Sequence, residues 1–365
     1  MSTAIGDPAL VATIGDRVVP VYLGDGVLDA TGALIAARGL GDGVLVVVDA
    51  GVRAVGDRVA ASCTAAGLRV IVEPVPAGEA SKNLGEIERL SRVAARAGIR
   101  RRDAVVAVGG GVVGDLAGFL AASYQRGVRL VQVPTTLLAM VDSSLGGKTG
   151  VDLPEGKNYV GAIYQPESVV MDPSVLGTLS GRELSCGFAE IVKYGLLEGG
   201  VLIEMVAAWP DLPGPRAELA DLIRRCAAVK IAVVEEDEMD VGRRAILNFG
   251  HTVGHGIEAA AGYDLYHHGE AISLGLLAAL RISEHTLGLD PVWRDRTRDT
   301  LARHGLPVVL DPSVSIDAVM DIMGRDKKAD GRALNMVLLR APGDVLTHQD
   351  PDPAAVRAAV EELAA

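Results

Sequence analysis

The sequence predicts two domains of different build, an α/β domain with a mostly parallel sheet over residues 1–176 and a mainly α-helical domain over residues 177–365. Three observations carry that prediction. Short β-rich runs alternate with helical patterns through the first half. Those runs are continuously apolar rather than strictly alternating, which suits strands buried on both faces. After about residue 173 the patterning turns helical.

The predicted strands are "VVPVYL" (18–23), "VLVVVD" (44–49), "LRVIVEP" (68–74), "AVVAVG" (104–109), "VRLVQVP" (128–134) and "SVVMD" (168–172). Between them, Leu84, Ile87, Leu90 and Val93 recur at spacings of three and predict a helix over 83–97. The stretch "DPSVLGTLSGREL" (172–184) reads as a hinge. Beyond it, segments 183–197, 216–235, 251–261, 270–287 and 353–364 read as helices, with one short β-rich piece at "ALNMVLL" (333–339).

Composition narrows the function. A chain of 365 residues can build two cores, but at 3% aromatic content they must be made of Ala, Val, Leu and Ile. That is a poor composition for stacking on bases or sugars. A net charge of −12 argues against a nucleic-acid partner. An anion would need a local positive pocket within an acidic whole. Cys63, Cys186 and Cys226 are odd in number and widely spaced, with no CxxC, so neither a disulfide framework nor a thiolate zinc site is expected. No basic segment precedes an apolar stretch at the N-terminus, and no run of about 18 apolar residues occurs. The expectation is a cytoplasmic protein without a membrane partner.

"AVVAVGGGVVGDLAGFLAA" (104–122) places Gly109, Gly111 and Gly114 in G-x-G-x-x-G spacing between a predicted strand and a predicted helix. Glycines let backbone approach a pyrophosphate, and the helix N-terminus offers free N–H groups. Asp49, ending an earlier strand, is placed to bond a ribose hydroxyl. A tight turn without ligand has the same spacing. Asp115 directly after the turn departs from the ordinary Rossmann rule, so the sheet order of dehydrogenases is not expected.

Lysine use is selective. The chain has seven lysines among 35 basic residues, and the rest are arginine. Lysine is a compact ammonium with a tunable pKa, whereas arginine is a flat, permanently charged fork. Lys148 and Lys157 flank a loop with Gly146, Gly147 and Gly156, and Asn158 adds an amide. Such a loop suits a phosphate monoester or a polyol. In "FAEIVKYG" (188–195), Glu190 and Lys193 share a helix face.

Four of the seven histidines fall within 18 residues. His251 and His255 lie at i, i+4, and His267 and His268 follow ahead of a helix. Glu190, one of 251/255 and one of 267/268 would form a three-ligand divalent site with positions open to substrate. Arg244 and Asn248 lie within two turns ahead of His251, Lys230 ends another helix, and Lys327 and Lys328 fall on a polar turn in "GRDKKADG" (324–331). The extra His267 is read as exposed.

The run from "GGGVVGDLAGFLAASYQRGVRLVQVPTTLLAMVDSSLGGKTGVDLPEGKN" through "AEIVKYG", "RAILNFGHTVGH", "HHGEA" and "DKK", with "PAGEASKNL" (76–84) upstream, resembles the 3-dehydroquinate synthases among the sugar phosphate cyclases. The resemblance implies a dehydroquinate synthase-like fold, with NAD on the N-terminal domain and zinc (or cobalt) on the C-terminal one. It implies Glu190, His251 and His268 as metal ligands. Asp142, Lys193, Lys230, Arg244 and His255 match catalytic positions, with His255 on the phosphate. Lys148, Asn158, Asn248 and Lys327 match the phosphate side. Arg126 matches an arginine that reaches a neighbouring subunit's site, which implies a homodimer. Asp49, Glu79, Lys82, Gly110, Gly111, Val112, Asp115, Thr135, Thr136 and Lys157 match cofactor contacts, beside the Gly109 and Gly114 that the spacing places at the same turn.

The implied reaction turns 3-deoxy-D-arabino-heptulosonate 7-phosphate into 3-dehydroquinate. Transient oxidation, β-elimination of phosphate, reduction and intramolecular aldol closure follow one another, and NAD is regenerated. Crowded ammonium groups are expected to lower one another's pKa. The alternatives are an amino-dehydroquinate synthase, a sedoheptulose 7-phosphate cyclase, or a metal-dependent polyol dehydrogenase. The intact Arg244, Asn248 and His255 favour the carboxylated substrate.

Overall fold

Continuous valine and alanine runs should produce strands covered on both faces, and in the computed structural model they do. The structure describes residues 6–210, 212, 216–262, 264–330 and 334–364, leaving aside the side chains of 216–217 and 325–330. It divides into two compact units: residues 1–179 with 215–239, and residues 180–214 with 240–365.

In the first unit the strands are β1 (Leu10–Ile14), β2 (Arg17–Leu23), β3 (Gly43–Asp49), β4 (Arg69–Val75), β5 (Ala104–Gly109), β6 (Arg129–Pro134), β7 (Lys148–Leu153), β8 (Gly156–Ile163) and β9 (Ser168–Met171). Seven of them form one sheet in the order β1-β2-β9-β6-β5-β3-β4. Only the β1–β2 pair is antiparallel; the remaining pairs are parallel. Every residue of β5 is buried, as are all of β3 but Asp49. Helices Leu84–Arg96 and Gly111–Ser123 cover the sheet, seating Leu90, Leu116 and Leu120 against Leu45, Val47, Val105 and Ala107. The chain leaves β3 for β4 on one side and returns to β5 on the other. That reversal opens a crevice at the carboxyl ends of β3 and β5, where open α/β sheets bind ligands.

Three expectations need correction. Residues 148–163 are not a loop but the antiparallel hairpin β7–β8, outside the main sheet. Gly150 and Gly161 face each other there: a Cβ at 161 would lie 2.1 Å from the Thr149 carbonyl oxygen, so the glycines serve close pairing of the two strands. The break expected after residue 176 falls after residue 179, and the helix Arg216–Glu236 belongs to the first unit. It packs on β1 and on the π-helical turn Ala139–Ser143. Residues 324–330 continue the helix Ile316–Asp330 instead of forming a turn.

Among its described residues the second unit is helical apart from the hairpin of β10 (Met336–Ala341) and β11 (Asp344–Gln349). Its central helix is His268–Leu287, buried along most of its length. Two glycines let other backbones meet it. A Cβ at Gly269 would lie 2.2 Å from the Cys186 carbonyl oxygen in helix Gly181–Glu198. A Cβ at Gly275 would lie 2.1 Å from the Gly250 carbonyl oxygen, just ahead of helix His251–Ala260. Backbone cannot give way as a flexible side chain can. Gly275→Ala is therefore expected to cost about 3 kcal/mol by overpacking, read as a lower urea midpoint; stability equal to the parent's would refute the close crossing.

Candidate active site

In the first unit the residues matched to cofactor contacts gather at the carboxyl ends of β3, β4, β5 and β6, except Lys157, which lies on β8. A Cβ on Gly109 would come 3.3 Å from the Asp49 Cβ, so the end of β3 and the glycine turn are neighbours at the crevice. Thr135 N–H donates to the Gly109 carbonyl at 2.9 Å. Its hydroxyl is buried without a hydrogen-bond partner, a polar group aimed at nothing in the protein itself. Thr136 Oγ1 accepts from Ala139 N–H at 3.1 Å and starts the turn that carries Asp142. An unmet buried hydroxyl, a glycine turn at a helix N-terminus and Asp49 fit a dinucleotide.

Lys82 holds this edge to the hairpin. It is 5% exposed, and its ammonium donates to Asp115 Oδ2 at 2.7 Å and to Asn158 Oδ1 at 2.6 Å. Glu79 Oε1 is 3.7 Å away. Burial pulls the Lys82 ammonium down, but Asp115, Glu79 and Asp152 outweigh it and leave its pKa raised. Lys82 therefore stays a fixed cation, contrary to the lowering expected of crowded ammonium groups. Burial raises the Glu79 carboxyl, offset in part by Lys82 and Lys157. Asp152 does not stand out in the sequence. It accepts from the Asn158 N–H at 2.7 Å, and its own N–H donates to the Lys82 carbonyl at 2.8 Å. Its position two residues past Gly150 on β7 is the available signal.

A cavity of about 620 Å³ opens beside this network, lined by Asp115, Asp142, Lys148, Asn158 and Lys230 among others. Lys230 comes from the helix Arg216–Glu236. Its ammonium donates to the Asp142 carbonyl at 2.8 Å and pairs with the Asp142 carboxylate. Two expected substrate groups, Lys148 and Asn158, thus share one cavity with Asp142 and Lys230, the pair expected to be catalytic. Arg126 is exposed at the end of a left-handed turn, with φ 63°.

In the second unit Glu190, His251 and His268 each offer a ligand atom, and these atoms lie within 4.8 Å of one another. Of the four combinations that spacing leaves open, this one brings its ligand atoms together, beside the helix crossings at Gly269 and Gly275. Glu190 Oε1 is 3.4 Å from His251 Nε2 and 3.3 Å from His268 Nε2. Glu190 is 1% exposed, and its Oε2 has no hydrogen-bond partner, although Lys193 stands against it as an ion pair. Burial would raise this carboxyl, but Lys193 and the two imidazoles hold it well below the usual carboxylate range. Burial and Lys193 lower His251, keeping the ring neutral, as a ligand must be. A carboxylate with two imidazoles is the donor set of a catalytic zinc site with open positions.

His255 borders the cluster, its ring centroid 5.9 Å from that of His268. Arg244 is 2% exposed on the turn Arg243–Asn248, and Asn248 is exposed at its end. His267 is exposed, its backbone N–H donating to Glu270 Oε2 at 2.7 Å. The side chains of Lys327 and Lys328 lie outside the described residues.

Comparison with known proteins agrees with both halves. Residues 72–186 match the 3-dehydroquinate synthase N-terminal family and residues 187–329 the 3-dehydroquinate synthase C-terminal family. A 3-dehydroquinate synthase of Caulobacter vibrioides is 44% identical over 359 residues, 96% of this chain and 97% of that protein. One of Symbiobacterium thermophilum is 43% identical over 357 residues, 96% and 99% of the two chains. Among solved structures, 2-deoxy-scyllo-inosose synthase complexed with carbaglucose-6-phosphate, NAD+ and Co2+ aligns with a TM-score of 0.87 at 28% identity, covering 97% of this chain and 99% of that one. ValA, a 2-epi-5-epi-valiolone synthase from Streptomyces hygroscopicus subsp. jinggangensis 5008 with NAD+ and Zn2+ bound, aligns at 0.85 and 26%, with the same coverage. An iron-containing alcohol dehydrogenase from Thermococcus thioreducens aligns at 0.70 and 15%, covering 95% of this chain and 98% of that one, a likeness of fold alone. Fold and site together define a dehydroquinate synthase-like protein of the sugar phosphate cyclase class. Within that class, the chain belongs to the 3-dehydroquinate synthase family.

Ion binding at this cluster is expected to depend on pH. Burial pulls His268 down, but Glu190 and Glu258 push it up to about 9 in the metal-free protein. An ion must displace that proton, so affinity rises with pH until about 9 and falls by roughly tenfold per unit below it. Chelator-competition titrations at two pH values, with release of about one proton per zinc, check the sign. Glu190→Ala is expected to weaken zinc binding by more than ~100-fold, since it removes the anionic ligand.

Proposed function

We propose that this protein converts 3-deoxy-D-arabino-heptulosonate 7-phosphate into 3-dehydroquinate and inorganic phosphate, a redox-neutral phosphorus–oxygen lyase reaction that uses NAD and zinc or cobalt. The observation that carries the reading is the Glu190–His251–His268 cluster backed by a buried lysine, in a chain 44% identical to a 3-dehydroquinate synthase. The cavity edged by Lys148 and Lys230 supports it from the first unit.

When bound, NAD supplies a recyclable hydride acceptor and the ion a Lewis acid for a sugar hydroxyl. Asp49, Thr135 and the turn at Gly109–Gly114 hold the cofactor, with Glu79, Lys82 and Lys157 charging the rim. Lys148 and Asn158 take phosphate oxygens, an ammonium and an amide where a monoester needs charge and direction. Lys230, anchored on Asp142, keeps a cation ready for negative charge that grows as a proton leaves beside a ketone. Lys193 does the same beside the ion site. Arg244 presents a planar fork suited to the substrate carboxylate, which separates this reaction from cyclases of uncarboxylated sugars.

A cytoplasmic homodimer completes the reading. Three buried cysteines, none in a disulfide, support a reducing compartment. No helix among the described residues is long and apolar enough to cross a membrane. The exposed Arg126 supports a contribution to a second copy, which sedimentation of the parent protein tests.

Incubation with the heptulosonate phosphate, NAD and zinc is expected to release phosphate without lasting NADH absorbance. Faster turnover of sedoheptulose 7-phosphate or of the amino analogue would assign another cyclase; lasting NADH would assign a dehydrogenase. Lys230→Ala is expected to lower kcat by ~100- to 1000-fold, measured by the same phosphate release. Lys148→Ala should act on KM as well as kcat.

A further inference from the structure

The His268 imidazole stands between two carboxylates. Its Nε2 is 3.3 Å from Glu190 Oε1, and its Nδ1 is 3.7 Å from Glu258 Oε2. Glu258 lies on the helix His251–Ala260, two turns after His251, and is 5% exposed. A carboxylate so buried is costly unless it meets compensating groups. His251 is held by other means: its Nδ1 is 3.1 Å from the Phe249 carbonyl oxygen. Each imidazole of the ion site thus faces a second group through Nδ1, a backbone carbonyl in one case and a carboxylate in the other. Ligating imidazoles generally donate their far N–H to such partners, which sets tautomer and ring orientation.

We propose that Glu258 is a positioning residue for the ion site: its carboxylate holds His268 as the Nδ1–H tautomer, so that Nε2 turns its lone pair to the ion. This rests on the ion-site reading above. The arrangement also answers a charge problem. Glu190 is the anionic ligand of the cluster, and Lys193 stands against it. A second carboxylate one ring away restores attraction for a dication without occupying a coordination position. His255, Glu258 and His268 also come within 4.8 Å of one another, which would suit a second ion. A positioning role requires one ion per chain, so stoichiometry separates the two.

The test compares the parent with Glu258→Gln and Glu258→Asp by zinc titration, by the visible spectrum of the cobalt-loaded protein and by unfolding of the metal-free protein. The expected result is one zinc per parent chain, ~10- to 100-fold weaker binding in Glu258→Gln, partial recovery in Glu258→Asp and a shifted cobalt spectrum in the glutamine variant. Imidazole nitrogen resonances of the zinc-loaded parent should report His268 protonated on Nδ1, a readout independent of whether any variant folds. Unchanged affinity and cobalt spectrum, a zinc bound through His268 Nδ1, or two ions in the parent with one lost in the variant would overturn the role. Weaker binding matched by an equal loss of metal-free stability, with the cobalt spectrum unshifted, would assign Glu258 to the fold and overturn it as well. A parent that binds no ion would overturn the ion-site reading itself.

Discussion

Close approach of three backbones is the constraint on which the second unit depends. Helix pairs carrying ordinary side chains at the contact stand about 8–10 Å apart. At Gly269 and Gly275 nothing intervenes, and the central helix touches the backbones at Cys186 and Gly250. Glu190 follows Cys186 by one turn, His251 follows Gly250 directly and His268 precedes Gly269. Short side chains from three helices therefore meet around one point. An imidazole and a carboxylate have little reach, so ordinary spacing would leave a gap that rotamers cannot close. The Glu190–His251–His268 cluster is a product of missing methyl groups as much as of its own side chains.

The two units solve the same electrostatic problem in opposite ways. Each buries an ammonium beside carboxylates. Around Lys82 the carboxylates of Asp115, Glu79 and Asp152 outnumber the cation, which is held firmly charged. Around Glu190 the cationic groups outnumber the acid, which is held firmly ionised. Neither group is poised to trade protons near neutrality. Both are fixed charges. Direct pairing with hydrogen bonds makes such buried charge tolerable; a lone ion in the same place would neutralise instead.

Much of this is legible in the sequence because burial writes itself into composition. β5 coincides with the run at 104–109, since a strand covered on both faces has no polar position to blur its limits. The hairpin β7–β8 reads as a loop because its glycines and charged residues carry no hydrophobic period; close strand pairing, not burial, explains them. Spacing assembles a histidine cluster but does not choose between His251 and His255, or between His267 and His268. That choice depends on the rotation of one helix against another, which one-dimensional periodicity does not hold. Glu258 does not stand out because a glutamate one turn after a helical histidine usually faces water. Place in the chain assigns the helix Arg216–Glu236 to the second unit, whereas packing against β1 puts it in the first.

That last helix makes the first unit discontinuous. Its carboxyl-terminal portion is synthesised only after residues 180–214, which belong to the other unit. Asp142 therefore emerges from the ribosome long before the ammonium that will neutralise it. A gene fragment ending near residue 179 encodes the sheet with its glycine turn but without Lys230, so the two halves of this protein are not interchangeable cassettes. Any recombination that swaps one unit between relatives has to cut the chain in three places, or it parts a charge from its counterion.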